Sequence, residues 1–228
     1  MAEDFQFNSE IAAHYEAGIR QSLPTYDQLF KVIQSFLRAK LKDDASILVI
    51  GAGGGKELSV WAPANPKWTL TGVDPSEDML NAAKQKVRLL NVEEQVQFIQ
   101  GTVSELTETA EFDAATCLLV LHFIHDQQEK TELLKTAAKH LKPNAPFVLV
   151  TMYGDPGEDE FKERMNLWKS FWLDAGTSPA EVDEMANSIM NLSLLSEEKI
   201  KELLADAGFM RITRFFETAI FGGWICYM

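Results

Sequence analysis

The chain has 228 residues, 46% hydrophobic and 24% charged, with 34 acidic against 21 basic side chains. The resulting net charge of -13 and pI near 4.8 repel polyanions at long range, which argues against a nucleic-acid partner. No apolar run approaches the ~20 residues that cross a bilayer, and "MAEDFQFNSE" lacks the basic and apolar regions of a signal peptide.

Residues 26–41 place Leu29, Val32, Ile33, Phe36, Leu37 and Leu41 on one helical face. "SILVI" (46–50) reads as a short apolar strand, with glycines following at 51, 53, 54 and 55. "KELSVWAPA" continues as a short helix ending near Pro63, and "KWTLTGVD" (67–74) is a second strand tipped by an acid. Residues 75–90 open with Pro75 and Ser76, suited to a helix start, and carry Met79, Ala82, Ala83, Val87 and Leu90 as a stripe. Strands three and four are expected at 95–101 and 112–121, a helix capped by Asp126 over 126–144, and a fifth strand at 145–153. The rhythm breaks from Gly154 to Leu195, where two helical stretches (158–174 and 179–190) carry Met165, Trp168, Trp172, Met185 and Met190. Ser196 caps a helix over 196–209 that closes on Gly208. Residues 210–228 alternate as an antiparallel strand pair around Glu217 to Ala219.

Strands alternating with helices predict an α/β fold, a doubly wound, seven-stranded, mostly parallel Rossmann-like sheet ending in an antiparallel pair. Four segments are expected: 1–45, helical and contributing to the ligand pocket; 46–153, the binding core; 154–195, a helical lid; and 196–228, completing the core. Cys117 and Cys226 read as buried free thiols with no metal-ligand spacing, so the expected compartment is reducing and cytoplasmic.

"ILVIGAGGGKEL" (47–58) demands bare backbone after a strand. A phosphate loop needs GxxxxGK[ST], and here Glu57 takes the hydroxyl's place. A dinucleotide fingerprint needs GxGxxG, and Lys56 stands at its third glycine. What remains is GxGxG, Gly51 to Gly55, with Asp74 at the next strand's tip 23 residues past Gly51. In this pairing the chain resembles the class I S-adenosylmethionine-dependent methyltransferases. The resemblance implies S-adenosylmethionine as cofactor and S-adenosylhomocysteine as product. It sets Gly51, Ala52 and Gly53 against the methionine part, Asp74 on the ribose hydroxyls, and Pro75 and Met79 ("GVDPSEDML") at the adenine face. "FIQGTVSEL" brings Gly101, Thr102 and Val103 to the adenine edge, and "EFDAATCLLVLHFIHD" brings Leu118 to the pocket. Val49 stands where the family has an acid, Thr102 where it has another, and Asn144 where it has glycine.

"IRQSLPTYDQL" (19–29) is similar to the segment preceding the core of the carboxy-S-adenosylmethionine synthases of the tRNA wobble-uridine pathway, which would lay Tyr26 over the cofactor. Those proteins hold an extra carboxylate with an arginine from the inserted helices. No arginine lies between Met165 and Met210, and Met185 falls about where it belongs, so an ordinary methyl donor is expected.

His122 and His125 follow strand four, on the acceptor side of this fold, and a ring nitrogen there can take a proton near neutral pH. A packed or capping histidine is the other reading. Two histidines three apart also match metal spacing, but no third partner is near, so no metal is expected. Tyr153, after strand five, is a further lining candidate. Asp155 to Asp206 holds 13 acids against 5 bases, so a lid facing the acceptor suits a neutral or cationic molecule. The expected function is methyl transfer to a small-molecule acceptor, with no membrane and a homodimer left open. The alternatives are a carboxy-S-adenosylmethionine synthase or tRNA-modification-related enzyme, and a non-catalytic S-adenosylmethionine-binding partner protein.

Overall fold

Each apolar stretch between turn signals becomes a strand, and each amphipathic stretch becomes a helix laid over it. The computed structural model describes residues 9–106 and 111–228. In chain order the elements are α1 Ser9–Ser22, α2 Tyr26–Lys40, β1 Ser46–Ile50, α3 Lys56–Ala64, β2 Thr69–Asp74, α4 Glu77–Leu89, β3 Val96–Gln100 and β4 Ala114–Leu118. There follow α5 Gln127–Lys139, β5 Pro146–Met152, α6 Asp159–Asp174, α7 Pro179–Met190, α8 Glu197–Asp206, β6 Met210–Thr218 and β7 Phe221–Tyr227. None of the described helices is long and apolar enough to cross a membrane.

The strands form one sheet in the order β3-β2-β1-β4-β5-β7-β6. The first five are parallel, and β7 runs antiparallel between β5 and β6. Strand order reverses between β1 and β4, where ligands enter open α/β sheets at the carboxyl ends of the strands. The loops after β1, β2 and β4 therefore meet at one edge.

The sheet separates two cores, and β1 supplies both by alternation. Ile47 and Val49 face the side of α2 and α3, whereas Leu48 and Ile50 face the side of α5 and α8. Leu29, Ile33 and Leu37 of α2 are buried as their spacing predicts, but Val32 is 52% exposed, and Phe30 and Gln34 turn inward instead. Likewise Leu90 leaves the stripe of α4 and lies exposed. Strand four ends at Leu118 rather than 121 because Leu119 turns left-handed (φ 62°). Ser196 caps α8 by accepting from the Lys199 N–H, and Gly208 beyond it takes φ 99°. A full capping box, unforeseen in the sequence, stands instead at Ser178 and Glu181 of α7.

The Met- and Trp-rich insertion packs inward. Trp168 is 2% exposed and donates its indole N–H to Ser22 Oγ at 2.8 Å, fastening α6 to the end of α1. Trp172 meets the Trp168 ring edge-on at 6.0 Å.

A close backbone joint lies under the glycine loop. A Cβ on Gly55 would stand 2.7 Å from Ala83 Cβ and 3.0 Å from Ala83 Cα, with Gly55 held at φ 75°. Gly55→Ala thus combines left-handed strain with overpacking against α4. The expected loss is roughly 2–4 kcal/mol of unfolding free energy, read from the urea midpoint.

Candidate functional site

The loop after β1 is built from backbone. Gly51 and Ala52 donate their N–H groups to Val73 O at 2.8 and 3.0 Å, so the turn is tied to β2 as it leaves β1. Gly51 takes φ 70°, and a Cβ there would fall 2.1 Å from Val120 Cγ2, so the chain leaving β4 presses against bare backbone. The Gly53 N–H donates to Asp74 Oδ2 at 2.8 Å, and the Ser76 N–H to Asp74 Oδ1 at 2.9 Å. Burial raises the Asp74 carboxyl above its ordinary range, and these two bonds oppose the shift. Each oxygen keeps lone-pair capacity for a ligand.

A cavity of about 240 Å³ opens beside this loop. Tyr26, Gly51, Ala52, Gly53, Asp74, Pro75, Met79 and Leu118 line it, together with residues the sequence reading did not nominate: Glu16, Phe30, Glu57, Phe123 and Ile124. Gly101, Thr102 and Val103 lie off its wall. The Glu105 side chain covers Gly101, Thr102 Oγ1 bonds Ser104 Oγ at 2.6 Å, and Val103 packs into the core beneath α5 and α8. None of residues 154–195 lines the cavity; its roof is α1 and α2.

The wall carries three carboxylates and one lysine: Glu16, Glu57, Asp74 and Lys56. Lys56 pairs with Asp27 at 2.6 Å, and Lys86 with Glu16. Arg20 bridges Glu16 and Asp27, both at 2.8 Å. Burial pushes the Glu16 carboxyl up, but Lys86, Arg20 and Lys56 more than offset this and hold it below its ordinary range. Glu57 is different. It is 4% exposed and forms no salt bridge among the described residues, and burial with the charge of Asp74 pushes it up to about 8. Val49, at the position of the family's acid, is fully buried in the α2–α3 core.

The three nominated polar side chains lie elsewhere. His122 is 2% exposed with Nδ1 3.0 Å from Thr151 Oγ1, and it accepts the Met152 N–H at 3.3 Å. Beside it Lys130 is fully buried, donating to the carbonyls of Leu121 (2.7 Å) and Ser193 (2.9 Å). Burial, then the Lys130 charge, pushes His122 down to about 3, and burial pushes Lys130 down to about 8. His125 is exposed, so the pair does not share a face. Tyr153 donates its hydroxyl to Glu217 at 2.9 Å, accepts from Arg214 at 3.1 Å and lies 4.2 Å beneath the Arg164 guanidinium. Burial, followed by the bond to Glu217, pushes its hydroxyl up to about 12. It is a structural phenol, away from the cavity wall.

A histidine held neutral in the core couples stability to pH. Its folded value lies below the ordinary 6.5, so its contribution is complete above pH 6.5 and is lost as pH falls toward 3. The slope is about 1.4 kcal/mol per pH unit over that range. The stability difference between wild type and His122→Gln should therefore shrink by about 2 kcal/mol between pH 7 and 5 in paired urea titrations.

Residues 48–147 match the family described as "Methyltransferase domain". Along nearly its whole length the chain is similar to the carboxy-S-adenosyl-L-methionine synthase of Desulfotalea psychrophila, 23% identical over 221 residues, covering 95% of this chain and 89% of that protein. A candidate O-methyltransferase from Nostoc punctiforme superposes with TM-score 0.70 at 16% identity, over 96% of this chain and 59% of that one. Phosphoethanolamine N-methyltransferase 2 of Haemonchus contortus, solved with phosphomonomethylethanolamine and S-adenosylhomocysteine, gives 0.57 at 20%, over 79% of this chain and 37% of that one. The chain thus spans less than two thirds of these structural relatives. The strand order, the glycine loop fastened to the acid of the next strand, and the match over residues 48–147 together show a methyltransferase domain on a Rossmann-like sheet, in a chain that resembles the class I S-adenosylmethionine-dependent methyltransferases.

Proposed function

We propose that the protein transfers a methyl group from S-adenosylmethionine to a small neutral or cationic molecule. The carrying observation is the wall's chemistry: Asp74 fixed by two amides beside a glycine loop, with carboxylates outnumbering lysine. These residues fit the cofactor. Asp74 has lone pairs for ribose hydroxyls, the loop has no side chains to obstruct an amino-acid tail, and Met79 and Tyr26 offer apolar faces to a base.

When bound, the cofactor supplies an electrophilic methyl on a sulfonium, and the protein's share is orientation and exclusion of water. Phe30, Phe123 and Ile124 give the wall the apolar surface that excludes water. His122 and Tyr153 sit off the wall and hold their protons at the wrong pH for a base. The reading is therefore an acceptor whose own nucleophile needs little help.

A second reading, synthesis of a carboxylated cofactor, is favoured by the near full-length similarity to the carboxy-S-adenosyl-L-methionine synthase. Against it stands the wall, which among the described residues has no arginine. Arg164 of α6, one residue before Met165, is an inserted-helix arginine, and it stacks on Tyr153 instead. A second carboxylate would enter among Glu16, Glu57 and Asp74.

Mass spectrometry of ligand released from purified protein separates the two. S-adenosylmethionine or S-adenosylhomocysteine is expected, and a carboxylated cofactor would overturn the first reading. Asp74→Ala should weaken S-adenosylhomocysteine binding by about 1.5–3 kcal/mol in calorimetry, the worth of bonds to a charged group; unchanged affinity would remove Asp74 from the site.

A further inference from the structure

Glu57 is a carboxylate at a cavity wall with nothing positive of its own. It stands in the first turn of α3 and is 4% exposed. Among the described residues its carboxylate has a bond from its own backbone amide, but no salt bridge. The two lysines that bias it toward the charged form, Lys56 and Lys86, are committed to Asp27 and Glu16. A buried carboxylate without a cation is costly, and a structure tolerates one where a ligand completes it. The other two wall acids are occupied differently: Glu16 by Lys86 and Arg20, and Asp74 by two backbone amides. Val49, fully buried on the helix side of β1, cannot reach a ligand.

Resting on the cofactor reading above, the structure assigns Glu57 as the residue that pairs with the α-ammonium of the cofactor's amino-acid tail, a duty moved from the end of β1 to the first turn of α3. The charge requirement of the tail is met from the far side of the glycine loop, eight positions along the chain from Val49. Glu57 is then a specificity residue for ligands that carry the amino-acid tail, and adenosine-only ligands do not use it.

Binding of the ammonium has a proton signature. The groups that face Glu57 are Asp74 on β2, Lys56 beside it on α3, Lys86 on α4, Glu16 on α1 and Cys117 on β4. Cys117 is held up to about 12 by burial and the Glu57 charge, so it stays a neutral thiol. With its carboxyl raised to about 8, Glu57 is mostly protonated at pH 7, and pairing with a cation expels that proton. Affinity for a tail-bearing ligand then rises with pH, by up to about tenfold per unit between pH 6 and 7.5.

The test compares wild type with Glu57→Gln, titrated calorimetrically with S-adenosylhomocysteine and with 5′-methylthioadenosine, which lacks the tail but keeps the ribose that Asp74 serves. The expected result is a roughly 10- to 100-fold loss for S-adenosylhomocysteine in the variant, with 5′-methylthioadenosine within twofold of wild type. Titrations in buffers of different ionisation enthalpy at pH 7 should show proton release for wild type and none for the variant. Unchanged S-adenosylhomocysteine affinity, or equal losses for both ligands, overturns the assignment. Wild type binding neither ligand overturns the cofactor reading itself, and the assignment with it.

Discussion

Two backbone amides converging on one carboxylate set the shape of this cavity. Gly53 reaches Asp74 from the loop after β1, and Ser76 reaches it from the start of α4. Gly51 and Ala52 add bonds to Val73 one residue earlier. The loop is thus held to β2 by its own backbone amides, bonded to the Val73 carbonyl and the Asp74 carboxylate. The same turn fixes the wall further along: Ser76 Oγ accepts the Met79 N–H at 3.3 Å, capping α4 and aligning Met79 toward Gly53. Glycine is required because the loop alternates left-handed residues, and because Val120 and Ala83 press where side chains would be.

The roof is held by another kind of force. Helix α1 reaches over the cavity through Glu16, which Lys86 of α4 and Arg20 grip, while Asp27 of α2 gathers Arg20 and Lys56 around Tyr26. These pairs are partly exposed, so each contributes modestly and salt screens it. Farther along, Trp168 buries the end of α1 against the insertion. The floor is therefore rigid by hydrogen bonding, and the roof is fixed at its distal end and more loosely latched over the ligand. The insertion's role follows: its tryptophans anchor the roof instead of lining the cavity.

Most of the architecture was legible because it rests on periodicity. The strands of the sheet, both inserted helices and the caps at Ser76, Asp126 and Ser196 follow from alternation, 3.6-residue spacing and short polar side chains. The failures have local causes. Val32 carries the right spacing, but α2 turns Phe30 and Gln34 inward in its place. Strand four looked longer because "LVL" is apolar, and only a left-handed Leu119 reveals the turn. The site was half legible. Glycines and a strand-tip acid announce themselves by spacing, whereas Glu16, Phe30 and Phe123 become neighbours only through the fold. Glu57 was visible only as the residue that spoiled a phosphate motif; a Glu at the first turn of a helix reads as ordinary dipole compensation until its burial is known.

The position of the histidine bears on mechanism. His122 lies two residues beyond the cavity-lining Val120, yet its ring turns into the core beside Lys130. That sets an imidazole, neutral near pH 7, against Thr151 and Met152 of β5, and beside it the buried Lys130 fastens the exit of β4 to Ser193, at the end of the insertion. These two groups fix where the chain leaves the sheet, and so where Phe123 and Ile124 meet the cavity. With the polar groups after β4 spent on position, the charged groups on the wall among the described residues are Glu16, Lys56, Glu57 and Asp74, all around the glycine loop. The charged chemistry of the wall is concentrated there, and the remainder is apolar. Such a division suits a reaction in which a charged donor is held tightly and the acceptor is selected by shape and dehydration.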